Sequence, residues 1–315
     1  MTKVILQDFL VVDSKGIYCV YGDFFIDAKE AVKTAVVSHG HGDHVTSGSH
    51  RVFCTAPTKS FMELRYKKGA ARDFRVYDYG TPFRIGEIQL TFLPAGHILG
   101  SASVLMEYKG VRYLYTGDYK LQLDPTCTPI SLVKADVLIT ESTFANPAIK
   151  HPDPSLEVSK LNTTTYPIML GVYALGKAQR LTAIINKHCP QKKILLHHAV
   201  LPFHRIYEEH GYVDWKYLPY GRKLIKDEPE NVIYMVPPLT FNSYFKAKNL
   251  IKVFASGWKR LQSKNDMELF ISDHVDWDDI LNTVETVDPQ EIWTLHGDGK
   301  ALVDYYNGSR TVKIL

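Results

Sequence analysis

The amino-acid sequence predicts an α/β fold in which an αββα sandwich is interrupted by an inserted α/β unit. The sandwich is assigned to residues 1–145 and 246–315, and the inserted unit to residues 146–245. Three features predict this division. Short strand-like runs separated by turns fill the first 140 residues. Strand and helix patterns alternate in the middle of the chain, and short strand-like runs return near its end.

The sandwich strands are predicted from short runs rich in β-branched and aromatic residues. A helical pattern covers Thr58–Lys67, Lys109-Gly110 fits a hairpin turn, and a second helix is predicted at Trp277–Val287. The predicted strands are Val4–Val12, Tyr18–Ile26, Ala35–Ser38, Val52–Cys54, Ile88–Leu93, Ser103–Tyr108, Tyr113–Thr116, Val137–Thr140, Ile251–Ala255, Leu269–Ser272 and Glu291–Leu295.

The inserted unit begins with a proline-broken linker at residues 146–154. Strands and helices then alternate at a spacing that is typical of a small parallel α/β layer. The sequence therefore predicts a cap, and we expect an active cleft between the cap and the sandwich. The predicted elements are Ile168–Tyr173, Leu175–His188, Lys193–Leu196, Pro202–Glu209 and Asn231–Val236.

Composition places the chain among ordinary globular proteins. Its 315 residues are 45% hydrophobic, enough for one large core or two modest ones. The four cysteines are scattered and form no CxxC pair, so they indicate neither a thiolate zinc site nor a disulfide framework. We expect a cytoplasmic protein, because the chain shows no signal-peptide pattern and no apolar run long enough to span a membrane.

Positive charge is concentrated in the middle of the chain, although the net charge is only +3. Residues 177–226 hold ten Lys or Arg against three acidic residues, a local charge of +7. Scattered lysines usually form a solvated face, but this segregation favours a groove for a polyanion such as nucleic acid. Residues 240–265 contain no acid and add Lys246, Lys248, Lys252, Lys259, Arg260 and Lys264.

A metal-binding loop is predicted directly after the apolar run that ends at Ser38. The segment His39-Gly-His41-Gly-Asp43-His44 packs three imidazoles and a carboxylate into six residues. Side chains two apart on a strand point the same way, so His39 and His41 can converge on one ion. Asp43 and His44 follow a turn and can reach a second ion. Imidazole and carboxylate ligands suit zinc, with manganese or iron as substitutes.

Three further candidate ligands each follow a predicted strand. His97 follows Ile88–Leu93, Asp118 follows Tyr113–Thr116, and His296 follows Glu291–Leu295. Each of them alone is a weak signal, because a histidine at a strand end is more often a surface residue. Together they predict one rim of loops that carries a metal site.

This set of residues resembles the metallo-β-lactamase fold superfamily over nearly the whole chain. The resemblance implies one metal held by His39, His41 and His97, and another held by Asp43, His44 and His296. Asp118 would bridge the two ions. Asp27 would orient the loop by accepting the second N–H of a ligating histidine.

The inserted cap narrows the resemblance to the β-CASP nuclease branch of that fold. Thr140-Glu141-Ser-Thr-Phe144, Ile271-Ser-Asp-His274-Val-Asp276 and His296 match its three additional motifs. Gly176-Lys-Ala-Gln-Arg180 matches the helix start of its cassette. The segment from Asp118 to Pro129 looks most similar to bacterial DNA ligase-associated exonucleases, which are related to RNA 3′-end processing factors. Leu196-His-His-Ala departs from their usual His-Gly.

The resemblance implies a nuclease with two divalent ions and a nucleic-acid substrate. Asp43 would contact the nucleophile, while His274, held by Glu141, would protonate the leaving 3′-oxygen. Lys177 and Arg180 lie at a helix start, where cations are unfavourable, so we expect them to bind a substrate anion.

Two other functions stay open at the sequence level. A small-molecule hydrolase of this fold would share the metal ligands but needs neither the basic cap nor the Glu141–His274 pair. A nucleic-acid-binding scaffold without activity would be expected to lack ligands. DNA is favoured over RNA by the long local matches, whereas His296 resembles the RNA-processing branch. A functional association with a DNA ligase is a further prediction.

Overall fold

The computed structural model describes residues 3–227, 229–243, 249–263 and 265–315. The chain divides into two compact units, Met1–Lys150 with His274–Leu315, and His151–Asp273. Strands and helices are numbered along the whole chain. The predicted α/β class is confirmed, since both units combine sheets with helices. Within the described residues, no helix is both long enough and apolar enough to cross a membrane.

The first unit contains a six-stranded sheet at its N-terminal end. Its strands follow one another in chain order, and the pairing changes from antiparallel to parallel after β3. The strands are β1 (Leu10–Asp13), β2 (Gly16–Cys19), β3 (Phe24–Ile26), β4 (Thr34–Val36), β5 (Ser49–Cys54) and β6 (Ala71–Val76).

A seven-stranded sheet completes the first unit. Its strands are β7 (Pro82–Ile85), β8 (Ile88–Pro94), β9 (Ala102–Tyr108), β10 (Val111–Tyr115), β11 (Val137–Glu141), β17 (Glu291–Leu295) and β18 (Thr311–Ile314). They lie in the order β18-β17-β11-β10-β9-β8-β7. Because β8 and β10 are both antiparallel to β9, and β11 and β17 are parallel to β10, four strands end at the same edge.

One hydrophobic core lies between these two sheets. Phe24 and Val36 from the first sheet belong to the same buried cluster as Val104, Tyr113 and Trp293 from the second. The opposite faces are covered by helices. The helices of this unit are α1 (Ala56–Tyr66), which packs Met62 on the first sheet, α8 (Trp277–Val287), which packs Ile280 on the second, and α9 (Lys300–Tyr306).

Local sequence explains where the main helices of this unit begin. Thr55 caps α1 by accepting a hydrogen bond from the N–H of Thr58, and Asp276 caps α8 by accepting one from Asp279. Asp278 and Asp279 lie in the first turn of α8, where the helix dipole favours negative charge. The cap of α8 therefore fixes the chain two residues after His274.

The second unit contains a parallel five-stranded sheet in the order β14-β13-β15-β12-β16. Its strands are β12 (Ile168–Gly171), β13 (Lys193–Leu196), β14 (Leu218–Pro219), β15 (Val232–Val236) and β16 (Ile251–Phe254). Its helices are α2 (Pro154–Ser159), α3 (Lys177–His188), α4 (Leu201–Glu209), α5 (Arg222–Asp227), α6 (Pro238–Ser243) and α7 (Lys259–Gln262). All four strand pairings are parallel, so the five carboxyl ends lie along one edge.

The second unit extends to Asp273, whereas the sequence placed the end of the insertion at residue 245. The sequence pattern assigns the strand at Ile251 to the sandwich, but β16 pairs with β12 of the second unit. The residues that follow β16 therefore belong to the second unit as well. The predicted strand Leu269–Ser272 is wrong. Backbone groups of this segment form hydrogen bonds with side chains instead of with a neighbouring strand. The Gln262 side chain donates to the carbonyl of Leu269 and accepts from its N–H, and Glu157 accepts from the N–H of Phe270.

Two predicted strands of the first unit differ in extent. The run from Val4 is strand only from Leu10, and Tyr18–Ile26 is two strands joined by a turn that contains Asp23 at a φ of 50°. Aromatic and β-branched residues continue through this turn, so the sequence pattern does not reveal it.

Of the predicted basic positions, Lys246, Lys248 and Lys264 lie outside the described residues.

Candidate metal centre

The predicted metal-binding loop follows β4 and is held against α1. A Cβ atom on Gly40 would lie 2.9 Å from the Cβ of Phe61, so only glycine fits at that position. The rings of His39 and His44 are buried, whereas Asp43 points outward with its side chain 82% exposed. The loop therefore directs its imidazoles, but not its carboxylate, toward the interior.

Strand direction brings the other candidate residues to the same place. His97, Asp118, Glu141 and His296 lie at the carboxyl ends of β8, β10, β11 and β17, which share one edge of the second sheet. His296 has a φ of 57°, and the next residue must be glycine, because a Cβ on Gly297 would lie 2.3 Å from the carbonyl oxygen of Ser142. The rim predicted from the sequence is thus formed by the sheet itself.

Three imidazoles meet around the first potential metal position. The Nδ1 atom of His41 lies 3.1 Å from Nε2 of His39 and 3.0 Å from Nε2 of His97. An Oδ2 oxygen of Asp118 lies 3.7 Å from His39 Nε2 and 3.8 Å from His97 Nε2. All four ligand atoms are within 4.8 Å of one another. A shared cation would satisfy nitrogen atoms that cannot all pair with one another.

A second group shares the same carboxylate. His44, Asp118 and His296 each offer one ligand atom within 4.8 Å of the others, and His44 Nε2 lies 3.4 Å from Asp118 Oδ2. Asp118 thus belongs to both groups, as a bridging ligand would. Asp43 does not belong to either group, and its carboxylate oxygen lies 3.9 Å from His44 Nε2.

Asp27 fixes the orientation of His44 from behind. Its Oδ1 accepts from the Ser38 N–H at 2.7 Å, and its Oδ2 accepts from Ser38 Oγ at 2.6 Å and from Tyr115 Oη at 2.9 Å. The same Oδ2 lies 2.9 Å from His44 Nδ1. With Nδ1–H donated to Asp27, the ring of His44 directs Nε2 toward Asp118.

Burial and neighbouring charges set the protonation of these groups. Burial, reinforced by the neighbouring imidazoles, lowers the pKa of His39 and of His97 well below the usual value. Burial opposes charge on His44 as well, but Asp118 and Asp27 raise its pKa well above normal. Burial also opposes charge on Asp118, yet His44 and His274 lower its pKa well below normal. The neutral imidazoles of His39 and His97 beside the ionised Asp118 form a donor set that a zinc-like cation prefers. A cation bound at His44 would displace the proton that this imidazole holds.

A third group lies beside the bridging carboxylate. Glu141 is buried, and its Oε2 lies 2.8 Å from Nδ1 of His274, while its Oε1 accepts from the N–H of Tyr119 at 3.0 Å. His274 Nδ1 is 4.0 Å from Asp118 Oδ2, and the His274 side chain is 29% exposed. Glu141 and His274, which are 133 residues apart in the chain, therefore form a pair next to the candidate metal ligands.

Lys177 and Arg180 contact an anion within the second unit. Lys177 Nζ lies 3.1 Å from Asp273 and donates to the carbonyl of Ile271, and Arg180 bonds Asp273 at 2.9 Å and the carbonyl of Ser272. Both side chains are buried, Arg180 completely. The sequence correctly indicated that these helix-start cations need an anion, but in the structure that anion is Asp273 and not a substrate group.

Sequence reasoning missed a buried ion pair that supports His97. Lys120 donates to the backbone carbonyl of His97 and lies 2.8 Å from Asp124, and Lys120 is only 2% exposed. Asp124 also accepts from the N–H and hydroxyl of Thr126. The spacing of a lysine and an aspartate four residues apart was visible in the sequence, but a loop pair of this kind is usually exposed.

Comparison with known proteins identifies relatives of this chain but no matching family model. A protein named a probable DNA ligase from Opitutus terrae is 29% identical over 301 residues, which cover 90% of this chain and 29% of that protein. An RNase J-like protein from Methanocaldococcus jannaschii is 31% identical over 52% of this chain and 46% of its own length. The endoribonuclease YSH1 of Eremothecium gossypii is 30% identical over 54% of this chain and 28% of its own length.

The resemblance to the β-CASP branch of the metallo-β-lactamase fold is confirmed. A solved structure of a protein of unknown function from Enterococcus faecalis aligns with a TM-score of 0.61 over 90% of this chain and 79% of its own. At 17% identity that likeness concerns the fold alone. The chain spans less than half the length of each of the three curated relatives. Relatives of this β-CASP type imply that the chain binds divalent metal.

Replacing Asp27 by asparagine tests whether its carboxylate prepares His44 for a metal. The amide would retain the shape of the side chain but lose one acceptor, so either His44 Nδ1–H or another donor would lose its partner. We expect Asp27→Asn to weaken zinc affinity by about 10- to 100-fold, measured by competition with a chromogenic chelator. Asp23→Asn is the matched control, since Asp23 also has a positive φ but lies in an exposed turn. Equal affinities of the two variants would contradict the role of Asp27.

Proposed function

We propose that the chain is a metal-dependent nuclease that hydrolyses phosphodiester bonds, and that it acts as an exonuclease on DNA in repair or processing. The proposal depends most on the Glu141–His274 pair, which lies within 4.0 Å of Asp118. A hydrolase of small molecules would use the metal ligands alone. An imidazole held by a buried carboxylate supplies the proton donor that cleavage of a phosphodiester also needs.

We further propose that the chain holds two divalent ions, most favourably zinc, with manganese or iron as alternatives. His39, His41, His97 and Asp118 would hold one ion, and Asp43, His44, His296 and Asp118 the other. For this, Asp43 must turn inward from its exposed position, where it is 3.9 Å from His44 Nε2. When bound, such ions activate water for attack and neutralise the charge that builds on a phosphate.

The protein groups would handle the two protons of the reaction. Once turned inward, the carboxylate of Asp43 would contact the attacking water and could accept the proton that this water loses. His274 donates Nδ1–H to Glu141, and its Nε2–H can hold a phosphate oxygen and then protonate the leaving 3′-oxygen. Glu141 fixes the orientation of this ring through the same hydrogen bond. The proton lost by water and the proton gained by the leaving group therefore have separate carriers.

DNA is the first candidate substrate and RNA the second. The match to the protein named a probable DNA ligase spans 90% of this chain and favours DNA. The RNase J-like protein and the endoribonuclease YSH1 match over about half of it and favour RNA, as does His296 at the last motif. Cytoplasmic location and functional association with a DNA ligase stay predictions from the sequence.

End-labelled single- and double-stranded DNA and RNA of one sequence provide the test of this function. We expect divalent-metal-dependent shortening of DNA, complete loss of cleavage after treatment with a chelator, and recovery with zinc or manganese. RNA cleavage without DNA cleavage would select the second candidate. Cleavage that persists in protein shown to be free of metal would contradict the proposed mechanism.

Substitution of His274 separates the nuclease from small-molecule hydrolases of the same fold. We expect His274→Ala to keep its bound metal but to lose phosphodiester cleavage by about 10²- to 10⁴-fold. Glu141→Gln should show a smaller loss, because this residue acts through the imidazole. Rates and metal content are measured together, with the exposed His50→Ala as the control. Loss of a metal from His274→Ala would make this residue a ligand and refute its role as the proton donor.

A further inference from the structure

The carboxyl ends of the five parallel strands in the second unit form a surface of unusual composition. The chain segments that leave these strands are 172–176, 197–200, 220–223, 237–240 and 255–260, here called the carboxyl edge. Because all five strands are parallel, these segments lie along the same edge of the sheet. In open α/β sheets this is the edge at which ligands bind.

Charge on the carboxyl edge has a single sign. None of its five segments contains an aspartate or a glutamate, whereas they contain Arg222, Lys223, Lys259 and Arg260. All four side chains belong to exposed residues. None of the four forms an ion pair with a carboxylate of the described residues. Their charge is therefore directed toward solvent, and a polyanion is the complementary partner.

Aromatic rings are interleaved with these cations. Tyr173 is 50% exposed and Tyr220 is 42% exposed, and the ring of Tyr220 stacks on Tyr234 with centroids 4.4 Å apart. Trp258 is 37% exposed, and the guanidinium of Arg260 lies 5.0 Å from the centre of its ring. Exposed rings beside unpaired cations are the combination that binds single-stranded nucleic acid, by stacking with bases and pairing with phosphates.

The topology adds a crevice at the middle of this edge. Strands β13 and β15 are neighbours in the sheet. The connection after β13 leads to β14 at one end of the sheet, and the connection after β15 leads to β16 at the other end, so the two connections diverge. His197 and His198 follow β13 at this point, and their ring centroids lie 3.9 Å apart at an interplanar angle of 37°. A divergence of this kind is the switch point at which open sheets bind their ligands.

The amino edge of the same sheet lacks this pattern. Residues that line a cavity of ≈ 460 Å³ there include Lys193 together with two acids, Asp227 and Glu230. A polyanion would meet charges of both signs at that edge. The amino edge carries exposed Tyr166 and exposed Lys187 and Lys193, which supply controls of matched chemistry.

We propose that the carboxyl edge of the second unit binds a single strand of nucleic acid, with Tyr220 and Tyr173 stacking on bases and Arg222 and Lys223 pairing with phosphates. The inference rests on the proposed nuclease function, because this strand would be the substrate. It assigns substrate binding to exposed residues of the cap, in place of the buried Lys177 and Arg180.

The test measures binding of a fluorescein-labelled oligothymidine by anisotropy, with chelator present so that cleavage does not interfere. We expect Tyr220→Ala to raise Kd by roughly tenfold, the loss typical of one stacked base, while Tyr166→Ala leaves Kd unchanged. Arg222→Gln with Lys223→Gln should flatten the dependence of log Kd on log salt by about 1.4 for two phosphate contacts. Lys187→Gln with Lys193→Gln makes the same change of charge at the amino edge and should leave this slope unchanged.

Three results would overturn the inference. One is Tyr220→Ala binding as tightly as the wild-type protein. A second is an equal effect of both charge pairs, which would mean diffuse attraction without a site. The third is tighter binding to a duplex than to a single strand, because stacking requires unpaired bases. Cleavage by the wild-type protein is recorded in parallel, so an active nuclease with unaffected edge variants refutes this inference alone. A wild-type protein that neither binds nor cleaves refutes both proposals.

Discussion

The buried carboxylate of Asp118 is the constraint around which the first unit is organised. One of its oxygens lies 3.4 Å from His44, 3.7 Å from His39, 3.8 Å from His97 and 4.0 Å from His274. A carboxylate that is only 6% exposed is costly to ionise unless positive charge compensates it. The imidazoles around it are groups through which proteins bind divalent cations. A cation held by these imidazoles would therefore also compensate the negative charge of Asp118.

The fold supplies this environment through strand direction. Four strands of the second sheet end at one edge, and each delivers one residue to the site: His97, Asp118, Glu141 or His296. The first sheet contributes the histidine loop and Asp27. Other contacts hold the candidate ligands in place, with Asp27 at His44 and the buried Lys120–Asp124 pair at the carbonyl of His97. Rigid strand ends and buried supports together give the precise placement that a catalytic site needs.

The sequence could predict whatever depends on local order. His39, His41 and His44 were visible as a loop, and His97, Asp118 and His296 as strand ends, because the spacing of residues along a strand fixes their direction. Contacts between distant segments could not be predicted in this way. The partner of Arg180 is Asp273, 93 residues away, and nothing near Arg180 in the sequence distinguishes a buried ion pair from an exposed cation. The strand expected at Leu269–Ser272 is absent because side chains of Gln262 and Glu157 satisfy its backbone.

The measurement that tests the central claim most directly is X-ray absorption at the zinc edge of protein reconstituted with zinc. If Asp118 bridges two ions, the wild-type spectrum will contain a metal–metal contribution at about 3.5–4 Å and a first shell rich in imidazole nitrogen. Asp118→Ala should lose the metal–metal contribution. A single isolated zinc in the wild-type protein, or a metal–metal distance that survives in Asp118→Ala, would contradict the shared role of this carboxylate.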